Sequence, residues 1–171
     1  LPALDELRVE LATGDVPWEE FLDSNEQFQS LGRTVDDVLS VLFSSGTTGD
    51  PKAIPWTHLC PIKCAADAHF HQDVRPGDVV AWPPSHGWMM GPWLVYSSWI
   101  NRATMALFVG SPSDPAFGQF VEDARVTMLG VVPSLVSTWR STGCINVFDW
   151  SAIRVFSSTG ECSNADDMWW L

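Results

Sequence analysis

Short apolar runs recur along this sequence roughly every 25 residues, with helix-compatible segments between them, which is typical of βαβ units. Apart from an earlier run that precedes a glycine-rich loop, the runs occupy residues 78–82, 103–109, 126–132 and 152–159. They lack strict polar alternation, as expected for strands that are covered on both faces. The predicted fold class is therefore α/β, built of parallel βαβ layers.

Helices are predicted between these strands, at residues 58–73, 89–100, 114–124 and 133–142. Thr57 and Asp114 are candidate N-caps, and Pro115 and Pro133 suit the first turn of a helix. Residues 1–34 mix acidic and apolar positions and are predicted to hold one or two helices as a lead-in segment. Residues 35–171 are predicted to form the main domain.

The composition is that of a globular protein, with 46% hydrophobic and 18% charged residues. Acidic residues outnumber basic ones by 21 to 9, and the net charge of −12 disfavours a nucleic-acid surface. The ten tryptophans fit two roles, filling a core or walling a pocket for an organic substrate. Composition leaves both roles open.

Neither a disulfide framework nor a metal site is predicted. Cys60, Cys64, Cys144 and Cys162 contain no CxxC pair and are expected to be free thiols. The histidines of the sequence AHFHQD have no further ligands at a metal-binding spacing. No apolar run has the length of a membrane span.

The segment VLFSSGTTGDPKAI, from Val41 to Ile54, concentrates hydrogen-bond donors behind a predicted strand. Its glycines permit positive φ, its hydroxyls donate without bulk, and Lys52 adds a compact positive charge. It is not a Walker A loop, because Asp50 and Pro51 separate Gly49 from Lys52. These residues alone allow an anion-binding loop or a solvated turn without function.

A second polar motif, residues 157–161, also follows a predicted strand. Ligands of parallel sheets bind at the carboxyl ends of the strands. The positions of residues 44–52 and 157–161 after predicted strands are therefore consistent with one shared ligand edge, and the order of the strands is left open.

The sequence LFSSGTTGDPKAI resembles the phosphate-binding signature of the AMP-forming synthetases, the adenylate-forming superfamily. GWMMGPWLVY and FSSTGECSN resemble two later segments of that family, in the same order. The resemblance covers about residues 38–164 and is greatest to plant acyl-activating enzymes of the acetyl-CoA-synthetase type. It implies an incomplete internal part of the large N-terminal domain of an acyl-CoA-synthetase-like fold, with a partial AMP-binding domain at 35–171.

For the intact protein, the resemblance implies an AMP-forming acid–thiol ligase. Such an enzyme joins a carboxylic acid to ATP, releases pyrophosphate and transfers the acyl group to coenzyme A, with Mg²⁺ as cofactor. The acid and the oligomeric state are left open, and so is the choice between cytoplasm and peroxisome. The alternative is a truncated, non-catalytic relative that binds nucleotide or a partner protein.

The resemblance also assigns residues. Lys52 and Thr48 would be catalytic, acting on the departing pyrophosphate. Nucleotide binding is assigned to Ser44, Ser45, Gly46, Thr47, Thr48, Gly49, Lys52, Gly160 and Glu161. Binding of the carboxylic acid is assigned to Trp88, Met89, Met90, Gly91 and Thr159. For Glu161, a local capping role is the alternative.

The sequence departs from the family pattern at Cys162, where proline is usual after Gly-Glu, and at His86 before Gly-Trp. The family's Tyr-Gly-x-Thr-Glu segment, its ribose-binding aspartate and the lid domain with its catalytic lysine are expected beyond Leu171. The isolated segment is therefore expected to be inactive.

Overall fold

The computed structural model describes residues 11–22, 27, 29–44, 49–83 and 87–171. Two units are distinguished, residues 1–33 and 34–171. In the first unit, the described residues contain the short helix α1, Trp18–Phe21. Within the described residues, no helix is both long and apolar enough to cross a membrane.

The second unit contains six strands and five helices among its described residues. In chain order they are β1 (Val38–Phe43), β2 (Ala53–Thr57), α2 (Leu59–His71), β3 (Val79–Ala81), α3 (Met90–Ile100), β4 (Thr104–Ala106), α4 (Pro115–Asp123), β5 (Met128–Val131), α5 (Pro133–Thr142), β6 (Val155–Ser158) and α6 (Ala165–Trp170).

A parallel sheet with the strand order β4-β3-β5-β6 forms the centre of this unit. The helices α3, α4 and α5 lie between successive strands in the sequence, as parallel connections require. The predicted α/β class with parallel layers is confirmed. The strands are shorter than the apolar runs that predicted them, because only three or four residues of each run pair with a neighbour.

Both faces of the sheet are covered by apolar clusters. One cluster joins the sheet to α4 and α5, and its largest fully buried members are Phe117, Leu129 and Trp139. The other joins the sheet to α2 and α3 and includes Cys64, Val80, Trp82, Trp93 and Leu94. Coverage on both faces explains why the strands read as continuous apolar runs.

The strand before the glycine-rich loop does not belong to this sheet, so residues 44–52 do not follow one of the parallel strands. β1 instead pairs antiparallel with β2, in a register that places Phe43 opposite Ala53. The loop between them is therefore a hairpin connection, and a connection this short cannot return a chain to a parallel neighbour. Of the two polar motifs, only residues 157–161 follow a strand of the parallel sheet.

At the amino ends of the strands, a network of charged side chains surrounds Asp78, which is 8% exposed. Arg154 donates from Nη2 to both carboxylate oxygens of Asp78 at 2.7 Å, and from Nη1 to Asp73 at 3.1 Å. Thr127 Oγ1 donates to Asp78 at 2.9 Å, and the backbone N–H of Arg75 donates to it at 2.7 Å. The network joins the residues that immediately precede β3, β5 and β6.

These contacts favour the ionised carboxylates. Burial alone would raise the pKa of Asp78, but the hydrogen bonds from Arg154, Arg75 and Thr127 outweigh it and hold that pKa below its ordinary value. The pKa of Asp73 is lowered chiefly by its hydrogen bond from Arg75 and then by the one from Arg154. The network therefore stabilises the fold while both aspartates are charged.

Candidate functional site

A cavity of about 370 Å³ opens at the carboxyl ends of β5 and β6, and we call it the Gly160 cavity. It is lined by Trp82, Trp88, Met89, Met90, Val132, Thr159, Gly160 and Glu161. Six of these residues are site residues predicted from the sequence, and they come from two segments about 70 residues apart. The fold therefore brings the Trp88 segment and the Gly160 segment together around one space.

A larger groove of about 660 Å³ adjoins this cavity, and we call it the α2 groove. One wall is the face of α2 that carries Cys60, Lys63, Cys64, Asp67 and His71. The opposite side is formed by the start of α3 and by residues 157–159. Trp82, Met89, Met90 and Thr159 line both spaces and form their common wall.

The α2 face is the part of the site that the sequence analysis missed. Cys60, Cys64 and His71 recur at helical spacing, so a common face was visible in the sequence. Nothing in the sequence indicated that this face meets α3, because that contact depends on how both helices pack on the sheet. Trp56 and Trp82 line the groove as well, in the pocket-wall role that the composition had left open for the tryptophans.

The floor shared by the two spaces is the indole of Trp82, which is 5% exposed. It packs directly over Gly130 of β5, where an added Cβ would lie 1.9 Å from the ring. Trp93 packs edge-on against Trp82, with 5.5 Å between the ring centroids. Gly130 therefore allows a bulky aromatic side chain to lie flat against the strand.

The turn after β6 is held at two points. The N–H of Thr159 donates to the carbonyl of Val131 at 3.3 Å. Two residues later, the carboxylate of Glu161 accepts from the N–H and from the hydroxyl of Ser134, both at 3.0 Å. Gly160, between them, has φ of +94°, a left-handed conformation that favours glycine.

The described phosphate-loop residues, Ser44, Gly49 and Lys52, belong to the β1–β2 hairpin and do not line either space. Ser44 and Lys52 close the base of the loop: Ser44 N–H donates to the carbonyl of Lys52 at 3.0 Å, and Lys52 N–H donates to Ser44 Oγ at 3.1 Å. Lys52 and Gly49 are exposed. The predicted residues Ser45, Gly46, Thr47 and Thr48 lie outside the described residues.

Gly91 is placed apart from the other predicted acid-binding residues. It is buried in the first turn of α3 and lines a separate pocket with Ser40 and Leu42 of β1. The position faces the hairpin, so Gly91 contributes to the contact between α3 and β1 rather than to either of the two spaces.

Charged and ionisable groups are unevenly distributed in the α2 groove. Lys63 pairs with Asp67 one turn along α2, and His71 lies 3.8 Å from the same carboxylate. Cys64 faces the apolar interior, and burial, reinforced by Cys60 and Asp67, raises the pKa of its thiol to about 11. The groove thus has a polar rim and an apolar, uncharged interior.

Magnesium is implied by the resemblance, and the described residues do not form a cluster of ligands for it. In the part of the chain that the structure describes, no three His, Cys, Asp or Glu side chains come together as metal ligands. Proteins hold Mg²⁺ through one or two carboxylates together with phosphate oxygens of the substrate. A magnesium site in this protein would therefore need phosphate oxygens of the substrate as well as protein carboxylates.

With this geometry in place, comparison with known proteins identifies the family. The profile of the AMP-binding enzyme family matches residues 3–171. The chain belongs to that family.

Its relatives include acyl-activating enzymes of plants. Hexanoyl-CoA synthase of Cannabis sativa is 54% identical over 167 residues, which are 95% of this chain and 23% of that protein. Probable acyl-activating enzyme 17, peroxisomal, of Arabidopsis thaliana is 51% identical over 169 residues, which are 96% of this chain and 23% of that protein. The chain therefore spans about a quarter of the length of these relatives.

Solved structures agree with this family fold. The acetoacetyl-CoA synthetase from Streptomyces lividans superimposes with a TM-score of 0.78 at 31% identity, over 95% of this chain and 26% of that one. The predicted resemblance to AMP-forming synthetases of the acetyl-CoA-synthetase type is confirmed, and so is its fold.

Proposed function

We propose that the protein carrying this chain is an AMP-forming acyl-CoA synthetase. It activates a carboxylic acid with ATP to an acyl-adenylate, releases pyrophosphate, and passes the acyl group to the thiol of coenzyme A. The observation that carries the proposal is the Gly160 cavity, where six residues that the family resemblance assigns to ligand binding line one space. Family membership over residues 3–171 supports the same reaction class.

The nucleotide is assigned to the Gly160 cavity and the hairpin loop. Gly160 has no side chain and lets the backbone approach a flat adenine ring closely. The donors of the loop, with Lys52, bind the β- and γ-phosphates. When a carboxylate oxygen attacks the α-phosphorus, the bond to the β-phosphate breaks, and these groups stabilise the negative charge of the departing pyrophosphate.

The carboxylic acid is assigned to the α2 groove. Its apolar part lies against Met89, Met90 and Trp82, whose adaptable or aromatic surfaces suit an organic chain. Its carboxylate lies at the wall shared with the Gly160 cavity, beside Thr159. This arrangement places the two reacting groups at the junction of the two spaces, and such positioning supplies much of the rate of a two-substrate reaction.

Carboxylate-dependent exchange of pyrophosphate into ATP tests the proposal. The intact protein is assayed with ATP and a panel of short, medium-chain and aromatic acids. Exchange is expected with at least one acid and none without acid. If no acid supports exchange in a folded protein that binds ATP, the protein is a non-catalytic relative.

Lys52→Gln tests the assignment of the loop. We expect adenylation to slow about 100-fold while the Kd for the acid changes little, because the lost charge acts on the leaving group. Arg102→Gln removes a different exposed cation, between α3 and β4, and serves as the matched control. Equal losses in adenylation and acid binding would reject the role of Lys52 on the phosphates.

The cytoplasm and the peroxisome are the proposed locations. Two plant relatives are named as peroxisomal proteins, which supports the second of these. Fluorescence microscopy of the intact protein with its own termini free is the direct test.

A further inference from the structure

Both carboxylate oxygens of Glu161 accept hydrogen bonds at the start of α5. One oxygen accepts from the backbone N–H of Ser134 and the other from its hydroxyl, each at 3.0 Å. The two residues are 27 positions apart, so the contact links two separate segments. A carboxylate held by two donors in this way has a fixed orientation.

The start of α5 depends on this contact. Val132, in the N-cap position, makes no capping bond from its side chain, and Pro133 has no N–H to donate. Ser134 therefore carries the first backbone donor of the helix, and Glu161 satisfies it from outside. A negative charge at this position also interacts favourably with the helix dipole.

The same contact restrains Gly160. On one side, Thr159 is bonded to the carbonyl of Val131, and on the other side Glu161 is bonded to Ser134. A Cβ at Gly160 would lie 3.6 Å from Val132, so the turn also packs against the residue that precedes α5. The peptide of Gly160 is thus tied to β5 and α5 on both sides while it lines the cavity.

We propose that Glu161 and Ser134 are a pair of positioning residues for the nucleotide. Glu161 acts through Ser134 by holding the backbone of residues 159–161 in the conformation that receives the base, and not by placing its charge on the ligand. This inference rests on the proposed function for the identity of the ligand. The contact itself is independent of the reaction.

The test measures the Kd for ATP by calorimetry, together with kcat and the KM values for ATP and acid, in the intact protein. E161A is expected to raise the Kd and KM for ATP about tenfold, a loss of the size caused by removing a helix cap. S134A is expected to raise them by a smaller factor. The KM for the acid is expected to rise less than the KM for ATP, because Thr159 is the only residue of the 159–161 turn that lines the α2 groove.

E161Q is the decisive variant. Its amide oxygen accepts from Ser134 N–H and its NH₂ group donates to the hydroxyl oxygen, so the contact survives without the charge. ATP affinity is expected to remain within about threefold of the wild-type protein. The double variant S134A/E161A is expected to bind ATP no more weakly than E161A alone, because the two substitutions break the same contact.

Two results would overturn the inference. In the first, E161Q loses as much ATP affinity as E161A, whereas S134A loses none. The charge of Glu161 would then act directly on the ligand. The second is normal pyrophosphate exchange with unchanged ATP affinity in E161A. By contrast, absence of exchange in a wild-type protein whose ATP affinity responds as expected would reject the proposed reaction and retain the positioning pair.

Discussion

The two ends of the parallel sheet differ in their contacts and in the space they leave open. At the amino ends of β3, β5 and β6, a buried aspartate is paired with an arginine and a threonine through short hydrogen bonds. At the carboxyl ends, the Gly160 cavity is lined by exposed Trp88 and by a glycine in a left-handed conformation, and the α2 groove adjoins it. Because one end joins the strands and the other leaves space for ligands, stability and binding can be altered separately in this domain.

The strongest test of this separation is Asp78→Ala. It removes a carboxylate that accepts hydrogen bonds from Arg154, Thr127 and Arg75, and we expect the free energy of unfolding to fall by about 3 kcal/mol. Urea denaturation measures the loss. In the folded fraction, the KM values for ATP and acid are expected to stay unchanged.

Asp78→Asn is the matched control, since it keeps the shape and one acceptor. Its loss is expected to be smaller, about 1 kcal/mol. A large change in ligand affinity in either variant would show that the amino ends of the strands are coupled to the site. Stability and binding would then not be separable in this domain.

Gly130→Ala tests the opposite end. The new Cβ would overlap the buried ring of Trp82, and we expect about 2 kcal/mol of destabilisation together with a raised KM for the acid. Gly118→Ala is its control, because a Cβ there would lie 2.2 Å from the ring of Phe148, on the face of the sheet away from the two cavities. It is expected to lose stability without any change in KM.

The pH dependence of stability should come from the amino ends of the strands. The pKa values of Asp78 and Asp73 are lower in the folded protein than in the unfolded chain. Their stabilisation is therefore complete above about pH 5 and is lost as the pH falls through the folded pKa values. Urea midpoints between pH 6 and pH 3 should fall less steeply in Asp78→Asn than in the wild-type protein; parallel slopes would contradict this assignment.

The smallest effect concerns thiol reactivity near the site. Burial raises the pKa of Cys64 to about 11, so little thiolate is present at pH 8, whereas Cys162 is exposed after the Gly160 turn. Alkylation by iodoacetamide, followed by mass spectrometry, is expected to modify Cys162 first and Cys64 last. Cys162→Ser should remove the fast phase, and early modification of Cys64 would show that the groove interior opens to solvent.

Local signals in the sequence account for much of this fold. Pro133 and the apolar spacing after it predicted α5 to the residue, and the apolar runs located all four parallel strands. The strand β1 was predicted but its pairing was not, because an apolar strand before a glycine-rich loop looks the same in a hairpin as in a βαβ unit. Only the partner strand distinguishes them, and pairing is a tertiary property.

The candidate site, too, was predictable from the sequence only in part. The resemblance predicted Gly160 and Met89 as site residues, and the fold brings them to one cavity. A capping role for Glu161 was one of the sequence-based alternatives, but its partner Ser134 had no signal in the sequence, and neither did the contact of Arg154 with Asp78, 76 residues away. Each joins residues from different elements, so it follows from the packing of the chain and not from local pattern.

The common wall of the Gly160 cavity and the α2 groove limits how mutations can change the substrate specificity of this protein. Under the proposed function, Met89, Met90, Thr159 and Trp82 each touch the space for the acid and the space for the nucleotide. A mutation there alters both specificities at once, whereas one on the α2 face alters only the first. We therefore expect the preference for the acid to change through mutations on the α2 face, at residues such as Cys60. The residues of the common wall are expected to stay the same.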